Sequence, residues 1–220
     1  MDAITTQEMM RIEERAHTMG VTRLLMMENA GAGVAHHIAS SYPNPERKNI
    51  AVIAGLGNNG GDAMVTARHL TYYRADVRVI LLGSSMDIRT EEARTNWRIL
   101  ERMSNSLRLV QLNAQGPDDI KDMVVSADII VDGIFGTGIK GSIREPHSSI
   151  IDAINASKAY KVAVDVPSGL DPDTGRYDKC VMADATVTFH RAKRGLFASS
   201  SICGKIIVWP IGIPPEADVL

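Results

Sequence analysis

The sequence predicts an α/β protein in which helices cover both faces of a mostly parallel β-sheet. From residue 49 onward, short β-branched or leucine-rich runs alternate with amphipathic stretches. Strand followed by helix, repeated, requires right-handed crossovers between parallel strands. The composition, 45% hydrophobic and 23% charged, is that of an ordinary folded protein. The length of 220 residues favours one domain over 1–220, with its core at about 49–212.

Two helices precede this core and form an extension at about 5–41. Residues 5–19 begin with the capping-box pattern Thr5-x-x-Glu8 and end before Gly20. A second helix is predicted over 22–40. We expect the pair to pack on the sheet domain or on a second subunit.

The second of these helices contains Gly31 and Gly33. Each glycine costs about 1 kcal/mol of helix propensity against alanine. A close backbone contact at this point is therefore the expected reason for them.

The core itself is predicted to hold alternating strands and helices. The strands are expected at 50–54, 77–82, 107–112, 128–132 and 161–165, with closing strands at 185–189 and 205–209. The helical patterns fall near 60–72, 90–103, 117–125 and 147–157.

Charge and hydropathy exclude several classes of protein. The formal net charge of -2 and the pI near 6.3 give no basic surface for nucleic acid. No apolar run approaches the roughly 18 residues that a membrane span needs, and the first residues lack the basic and apolar parts of a signal peptide. A cytoplasmic protein with no membrane partner is expected, with Cys180 and Cys203 reduced.

The first strand runs into a glycine-rich loop, GLGNNGGD at 55–62, and then into a helix. Free backbone N–H groups at a helix N-terminus suit a phosphate. Gly55, Gly57 and Gly60 also have the G-x-G-x-x-G spacing of dinucleotide-binding folds. The alternative is a tight turn in which the glycines serve only to adopt positive φ.

An NAD-dependent dehydrogenase would also carry an acid at the end of the second strand to hold the ribose hydroxyls. Here that strand ends in LLGSS at 81–85, and the nearest acid, Asp87, lies beyond the position expected for that acid. The pattern disfavours hydride transfer and leaves a nucleotide ligand open.

Two later strands end in carboxylates beside glycine-containing loops. Asp132 leads into 133–141, and Asp165 leads into the Val-Pro-Ser-Gly segment at 166–169. A single aspartate at a strand end is often only a turn former. Because ligands bind outside the carboxyl ends of parallel strands, we expect both carboxylates to share one crevice with the first loop.

Oxygen ligands for a cation are available in the same crevice. Asn59, Asp132 and Ser168 offer oxygens and one formal negative charge, which suits a hard monovalent ion. The alternative is that these groups bond to each other and to water. Lys193 is within reach of a phosphate in principle, but we interpret it as a solvated side chain.

Four ordered motifs stand along the chain: GLGNNGGD at 55–62, VDGIFGTGIKG at 131–141, VDVPSGLDPDTG at 164–175 and ATVTFHRAKRGL at 185–196. Together with the MMENAG stretch of the second helix, they resemble the YjeF N-terminal domain family, the NAD(P)H-hydrate epimerases. One departure is Ala63, where family members typically have glycine.

The resemblance implies a Rossmann-like, three-layer αβα sandwich, usually a homodimer, that acts on NADHX and NADPHX. In these damaged cofactors, water has added to the nicotinamide ring and left a hydroxyl at C6. Members of the family interconvert the R and S epimers, so that a dehydratase, separate or fused, can restore the cofactor.

The resemblance also implies site residues. Potassium would be held by Asn59, Asp132 and Ser168. The substrate would be bound by Asn58, Asn59, Gly60, Gly61, Asp62, Gly136, Thr137, Gly138, Ile139, Lys140, Gly141, Ser142 and Asp165.

Our hypothesis for the chemistry is that Asp165 protonates the departing hydroxyl and deprotonates the incoming water. Two rival functions remain: an NAD-dependent dehydrogenase, supported by the glycine spacing, and a non-catalytic nucleotide-binding or scaffold module. For the second rival, the methionine-rich first helices would offer an adaptable partner surface.

Overall fold

The computed structural model describes residues 3–42, 46, 48–112, 116–138 and 142–219. Its strands are β1 (Asn49–Ala54), β2 (Asp76–Leu81), β3 (Leu107–Gln111), β4 (Ile129–Gly133), β5 (Tyr160–Val164), β6 (Ala185–Phe189) and β7 (Lys205–Trp209). Its helices are α1 (Thr6–Thr18), α2 (Arg23–Ser41), α3 (Asn58–Tyr72), α4 (Glu91–Glu101), α5 (Pro117–Val125), α6 (His147–Ala156), α7 (Arg194–Ala198) and α8 (Ser200–Cys203). All seven predicted strands and six predicted helices are confirmed within a few residues. The short helices α7 and α8 were not predicted, because four or five residues are too few to show a helical period.

The strands form one sheet in the order β3-β2-β1-β4-β5-β6-β7, and every neighbouring pair is parallel. The predicted mostly parallel α/β sandwich is therefore confirmed. The winding direction reverses between β1 and β4, so that β2 and β3 lie on one side and β5 to β7 on the other. At such a reversal the loops after the two strands diverge and leave a crevice.

Both faces of the sheet are covered, as parallel strands require. Along β1, the side chains of Val52 and Ile53 point to opposite faces, and each is fully buried. Val52 packs in the core with α2, α3 and α4. Ile53 packs in a second core with α5 and α6.

The N-terminal helices pack on the sheet domain of their own chain: α2 lies against α3, β5 and β6, and Ile12 of α1 is buried in the same core. A Cβ on Gly31 would lie 2.5 Å from Val65 Cβ and 2.6 Å from the Asp62 carbonyl oxygen. A Cβ on Gly33 would lie 2.2 Å from the Trp209 ring. The expected close contact at these glycines is confirmed, and it explains their place in a helix.

The N-terminal segment pairs through its backbone with the segment that precedes α7. Ile4 forms an isolated parallel bridge with Lys193. Its N–H donates to the Ala192 carbonyl over 3.0 Å, and its carbonyl accepts from the Arg194 N–H over 3.1 Å. This pairing fixes the segment that enters α7.

Within the described ranges, no helix is both long and apolar enough to cross a membrane.

Candidate active site

The loops that follow β1, β4 and β5 converge at one edge of the sheet, because these three strands are neighbours and run parallel. They enclose a cavity of about 790 Å³. The loops after β1 and β4 form two of its walls, with Asn58, Asn59 and Asp62 in the first and Gly136, Thr137 and Gly138 in the second. Asp165 and the helices α1 and α2, with Glu13 and Met27, also line it. The crevice lies at the carboxyl ends of the strands and holds Asp165 and the first loop, as predicted, but Asp132, which was also expected in it, is not part of its described wall.

The glycine-rich loop is built by close backbone packing. A Cβ on Gly55 would lie 1.9 Å from the Ile134 carbonyl oxygen, and one on Gly60 would lie 2.0 Å from the Gly55 carbonyl oxygen. None of Gly55, Gly57 and Gly60 has positive φ. The alternative in which these glycines serve only to adopt positive φ is therefore wrong. Gly55 and Gly60 are needed because one backbone segment touches another there, whereas a Cβ on Gly57 would meet no atom within 4 Å.

The loop delivers the N-terminus of α3 to the cavity. Gly57 is the N-cap and has no side chain to satisfy the first N–H groups of the helix. Asn58 and Asn59, at the first helical positions, line the cavity. This end of α3 therefore has the uncapped amides that suit an anionic group.

Asp132, Ser168 and Asn59 form one polar cluster below the cavity. The Ser168 hydroxyl donates to Asp132 Oδ1 over 2.5 Å, and the Ser168 N–H donates to Asp132 Oδ2 over 2.8 Å. Asn59 Nδ2 donates to the Phe135 carbonyl over 2.9 Å, and the Phe135 N–H donates to the Ser168 hydroxyl over 2.9 Å. Three residues far apart in the chain are thus linked through Phe135.

The charge of this cluster is not balanced by a side chain. Asp132 is fully buried, and within the described ranges no lysine, arginine or histidine pairs with it. Burial raises the pKa of Asp132 to about 6, although its bonds to Ser168 and Ile134 act in the opposite direction. At neutral pH the cluster therefore holds a buried negative charge.

Asp165 follows β5 with φ of 64°, a left-handed conformation that aspartate tolerates better than most residues. Three donors converge on its Oδ1: the Thr188 hydroxyl at 2.9 Å, the Phe189 N–H at 3.3 Å and the Lys193 ammonium. Asp165 Oδ2 accepts none of the hydrogen bonds found among the described residues and is left for the cavity, which Asp165 lines.

Lys193 is not a solvated side chain, and that interpretation is wrong. It is 1% exposed and is held by Asp165, the Thr188 hydroxyl at 3.2 Å and the Phe189 carbonyl at 3.4 Å. The sequence showed only a lysine after a strand. Its burial depends on the N-terminal segment that packs over it, since Ile4 pairs with its backbone.

Two further carboxyl groups lie beside this ion pair. Burial raises the pKa of Asp62 well above its ordinary value, and the charges of Asp165 and Glu13 act in the same direction. Burial also raises the pKa of Glu13, against the attraction of Lys193. Sequence reasoning missed Glu13. Its signal was its position on α1, four residues after the buried Met9 and so on the helix face that turns inward.

The remaining predicted residues are placed as follows. Gly60 and Gly61 are buried in α3 behind the cavity wall, and a Cβ on Gly61 would meet the end of the Met27 side chain at 2.6 Å. Ser142 is exposed and is not part of the cavity wall. The predicted Ile139, Lys140 and Gly141 lie outside the described residues.

The loop after β2 contributes Arg89 to the cavity wall. Within the described part of the chain, no carboxylate from this loop lines the cavity, and Asp87 is exposed. The acid that a dehydrogenase uses for the ribose is therefore missing from the described wall as well as from the sequence pattern.

Comparison with known proteins agrees with this architecture. The family described as YjeF-related protein N-terminus matches residues 23–195. The chain is 47% identical over 219 residues to an NAD(P)H-hydrate epimerase from Nitrosopumilus maritimus, covering 98% of this chain and 97% of the relative. It is 50% identical over 216 residues to an enzyme of the same name from Cenarchaeum symbiosum, with the same two coverages of 98% and 97%.

A longer relative and a solved structure extend the comparison. The chain is 47% identical to the bifunctional NAD(P)H-hydrate repair enzyme Nnr of Pyrobaculum aerophilum, of which it covers 44% while matching over 100% of its own length. Among solved structures, yeast ynu0, YNL200c, superposes with a TM-score of 0.78 at 26% identity, covering 90% of this chain and 84% of that one.

Proposed function

This chain belongs to the YjeF-related N-terminal family, and from that premise we propose that it is an isomerase that interconverts the epimers of hydrated NADH and NADPH. The observation that carries the proposal is the cavity in which the glycine-rich loop and the Asp62–Asp165–Lys193 cluster meet. The loop suits the diphosphate of a dinucleotide, and the cluster supplies groups that exchange protons. A scaffold module would have no need of cavity-lining carboxyl groups whose pKa is raised, as it is for Asp62 and Glu13.

The reaction is a proton-assisted exchange of a hydroxyl group. The C6 hydroxyl of the substrate stands next to the ring nitrogen, whose lone pair expels it as water and leaves a planar iminium carbon. Water then attacks that carbon from the other face and gives up a proton. Asp165 suits the second step, because three donors hold its Oδ1 and its Oδ2 is left to accept a proton.

The activity is tested with the purified R epimer, whose conversion to the S epimer is followed by chiral chromatography against the uncatalysed rate. In ¹⁸O-labelled water, each conversion is expected to introduce one solvent oxygen at C6. No acceleration over the blank would refute the function, and acceleration without label would refute the loss of water.

A potassium ion is proposed for the Asn59–Asp132–Ser168 cluster. The cluster fits such an ion because its donors are oxygens, its one buried carboxylate has no described cationic partner, and Asn59 Oδ1 accepts no hydrogen bond from a described residue. When bound, the ion supplies the positive charge that offsets Asp132. Asp132 and Ser168 then fix Phe135 and the loop that lines the cavity.

Replacement of Asp132 by asparagine is expected to remove potassium-dependent stabilisation. An ion at ten times its dissociation constant stabilises the folded state by about 1.4 kcal/mol, or roughly 3–6 °C in Tm for a chain of this size. The wild-type Tm should therefore be higher in potassium chloride than in tetramethylammonium chloride of equal ionic strength, and the D132N Tm should not differ. Equal wild-type values in the two salts would contradict the ion site.

The proposed reaction implies a second enzyme that uses its product. A dehydratase that consumes one epimer is its proposed functional partner, supported by the bifunctional relatives. We also propose that 1–220 folds as one domain, since α2 packs directly on α3, and that the enzyme acts in the cytoplasm.

A homodimer is proposed as well. Met19, Leu24 and Leu25 are about half exposed at the corner between α1 and α2. Exposed apolar residues grouped in this way are typical of a subunit interface. Sedimentation equilibrium should give a mass of two chains, and the mass of one chain at micromolar concentration would refute the homodimer.

A further inference from the structure

Three carboxyl groups and one ammonium group meet at the inner end of the cavity. Asp62 is the fifth residue of α3, Glu13 lies on α1, Asp165 follows β5 and Lys193 precedes α7. Asp62, Glu13 and Asp165 all line the cavity. The hypothesis drawn from the sequence gives Asp165 both proton transfers, to the departing hydroxyl and from the incoming water, whereas the cluster offers a second carboxyl group for the first of them.

The hydrogen bonds of Asp62 and Asp165 differ. Asp165 Oδ1 accepts hydrogen bonds from Thr188, Phe189 and Lys193. The Asp62 carboxyl accepts none of the hydrogen bonds found among the described residues, although its backbone carbonyl accepts from Thr66. The Asp62 carboxyl is thus free to bond to a ligand in the cavity.

The charges of the cluster also favour a protonated Asp62. The ammonium of Lys193 pairs with Asp165, and neither Asp62 nor Glu13 belongs to an ion pair among the described residues, although the charge of Arg23 lowers the pKa of Glu13. Carboxyl groups that share one site do not all ionise, and the least solvated of them keeps its proton. The pKa of Asp62 is raised by burial first, then by the charges of Asp165 and Glu13, with Lys193 opposing.

We propose that Asp62 is the general acid of the epimerisation and Asp165 its general base, an inference that rests on the proposed function. The proton of Asp62 passes to the C6 hydroxyl, the C6–O bond breaks, and water departs. A second water forms the new C6–O bond and gives its proton to Asp165. Exchange with solvent returns a proton to Asp62 and removes one from Asp165, so that the net reaction is an isomerisation.

Glu13 has a supporting role, because its negative charge favours the protonated form of Asp62. Activity should fall at alkaline pH as Asp62 loses its proton. In Glu13→Gln, Asp62 has one negative neighbour fewer, so its pKa is lower and the alkaline decline should begin at lower pH. A purely structural role for Asp62 would leave the onset of this decline unchanged.

Chemical rescue separates the two roles. Asp62→Ala removes the acid, and Asp165→Gly removes the base while glycine accepts the positive φ at that position. Each variant should lose about 10²–10⁴-fold in rate. Acetic acid is added between about pH 5 and pH 7, with enzyme-free blanks. The rate of Asp62→Ala should rise in proportion to the concentration of protonated acetic acid, and the rate of Asp165→Gly in proportion to that of the acetate ion.

Failure of the proposed function and failure of the role of Asp62 would give different results. A wild-type enzyme without epimerase activity would refute the proposed function. If the wild type is active, either of two results would overturn the role of Asp62 while the proposed function stands. One is an Asp62→Ala rate similar to that of the wild type, and the other is rescue of that variant by the acetate ion. Asp62→Asn preserves side-chain size and replaces the alanine variant in the rate test if the latter unfolds. The control is Asp122→Asn on the exposed surface of α5, which should retain the wild-type rate.

Discussion

Asp165→Asn is expected to lower the rate of epimerisation by about 10²–10⁴-fold, the usual contribution of a general acid or base. Asparagine is the best replacement for the backbone, because it tolerates the φ of 64° at this position. It also keeps an oxygen that accepts from Thr188 and Phe189. The carboxylate that we propose as the acceptor of a proton from water is lost.

This substitution also leaves Lys193 buried without a counter-charge. Removal of one partner from a buried ion pair costs about 3–5 kcal/mol, so the variant should unfold at lower temperature. The double variant Asp165→Asn with Lys193→Met removes both charges and should recover much of that stability without recovering activity. A double variant that regains the wild-type rate would remove Asp165 from the mechanism.

Gly60→Ala should have the next largest effect, on both stability and nucleotide binding. Its Cβ would lie 2.0 Å from the carbonyl oxygen and 2.7 Å from the carbonyl carbon of Gly55. Because both are backbone atoms, no change of rotamer relieves the clash and the loop must move. We expect a loss of about 1–3 kcal/mol in the free energy of unfolding and a large loss of affinity for NADP⁺, used as a stable nucleotide.

The matched control for this prediction is Gly57→Ala in the same loop. A Cβ on Gly57 meets no atom within 4 Å, and its φ of −113° is open to any residue. Thermal unfolding of Gly57→Ala should therefore resemble that of the wild type. If Gly60→Ala kept both wild-type stability and NADP⁺ affinity, the close packing in this loop would not matter for binding.

The sequence predicted those parts of the site that depend on strand order alone. Asn59, Asp132 and Ser168 follow three strands that are neighbours in a parallel sheet, and their meeting follows from that topology. The hydrogen bonds from Ser168 to Asp132 agree with the alternative in which these groups bond to each other, and they are compatible with the proposed ion.

The parts that sequence did not reveal depend on contacts between distant segments. Lys193 is buried because residues near the N-terminus pair with its segment, and Glu13 reaches the cavity because α1 lies beside the sheet edge. Neither contact leaves a periodic pattern. The reason for Gly60 was left open by the sequence, because a close approach to Gly55 and a positive φ both require glycine and only coordinates distinguish them.

The bridge between Ile4 and Lys193 has a consequence for the order in which the protein forms during translation. The strand that starts the sheet and its first crossover can assemble while the ribosome is still making the second half. The segment with Lys193 leaves the ribosome only after β1 to β6, so the N-terminus must wait for it. A nascent chain that has emerged only as far as residue 190 would hold β1 to β6 and would lack the pairing of Ile4 with Lys193.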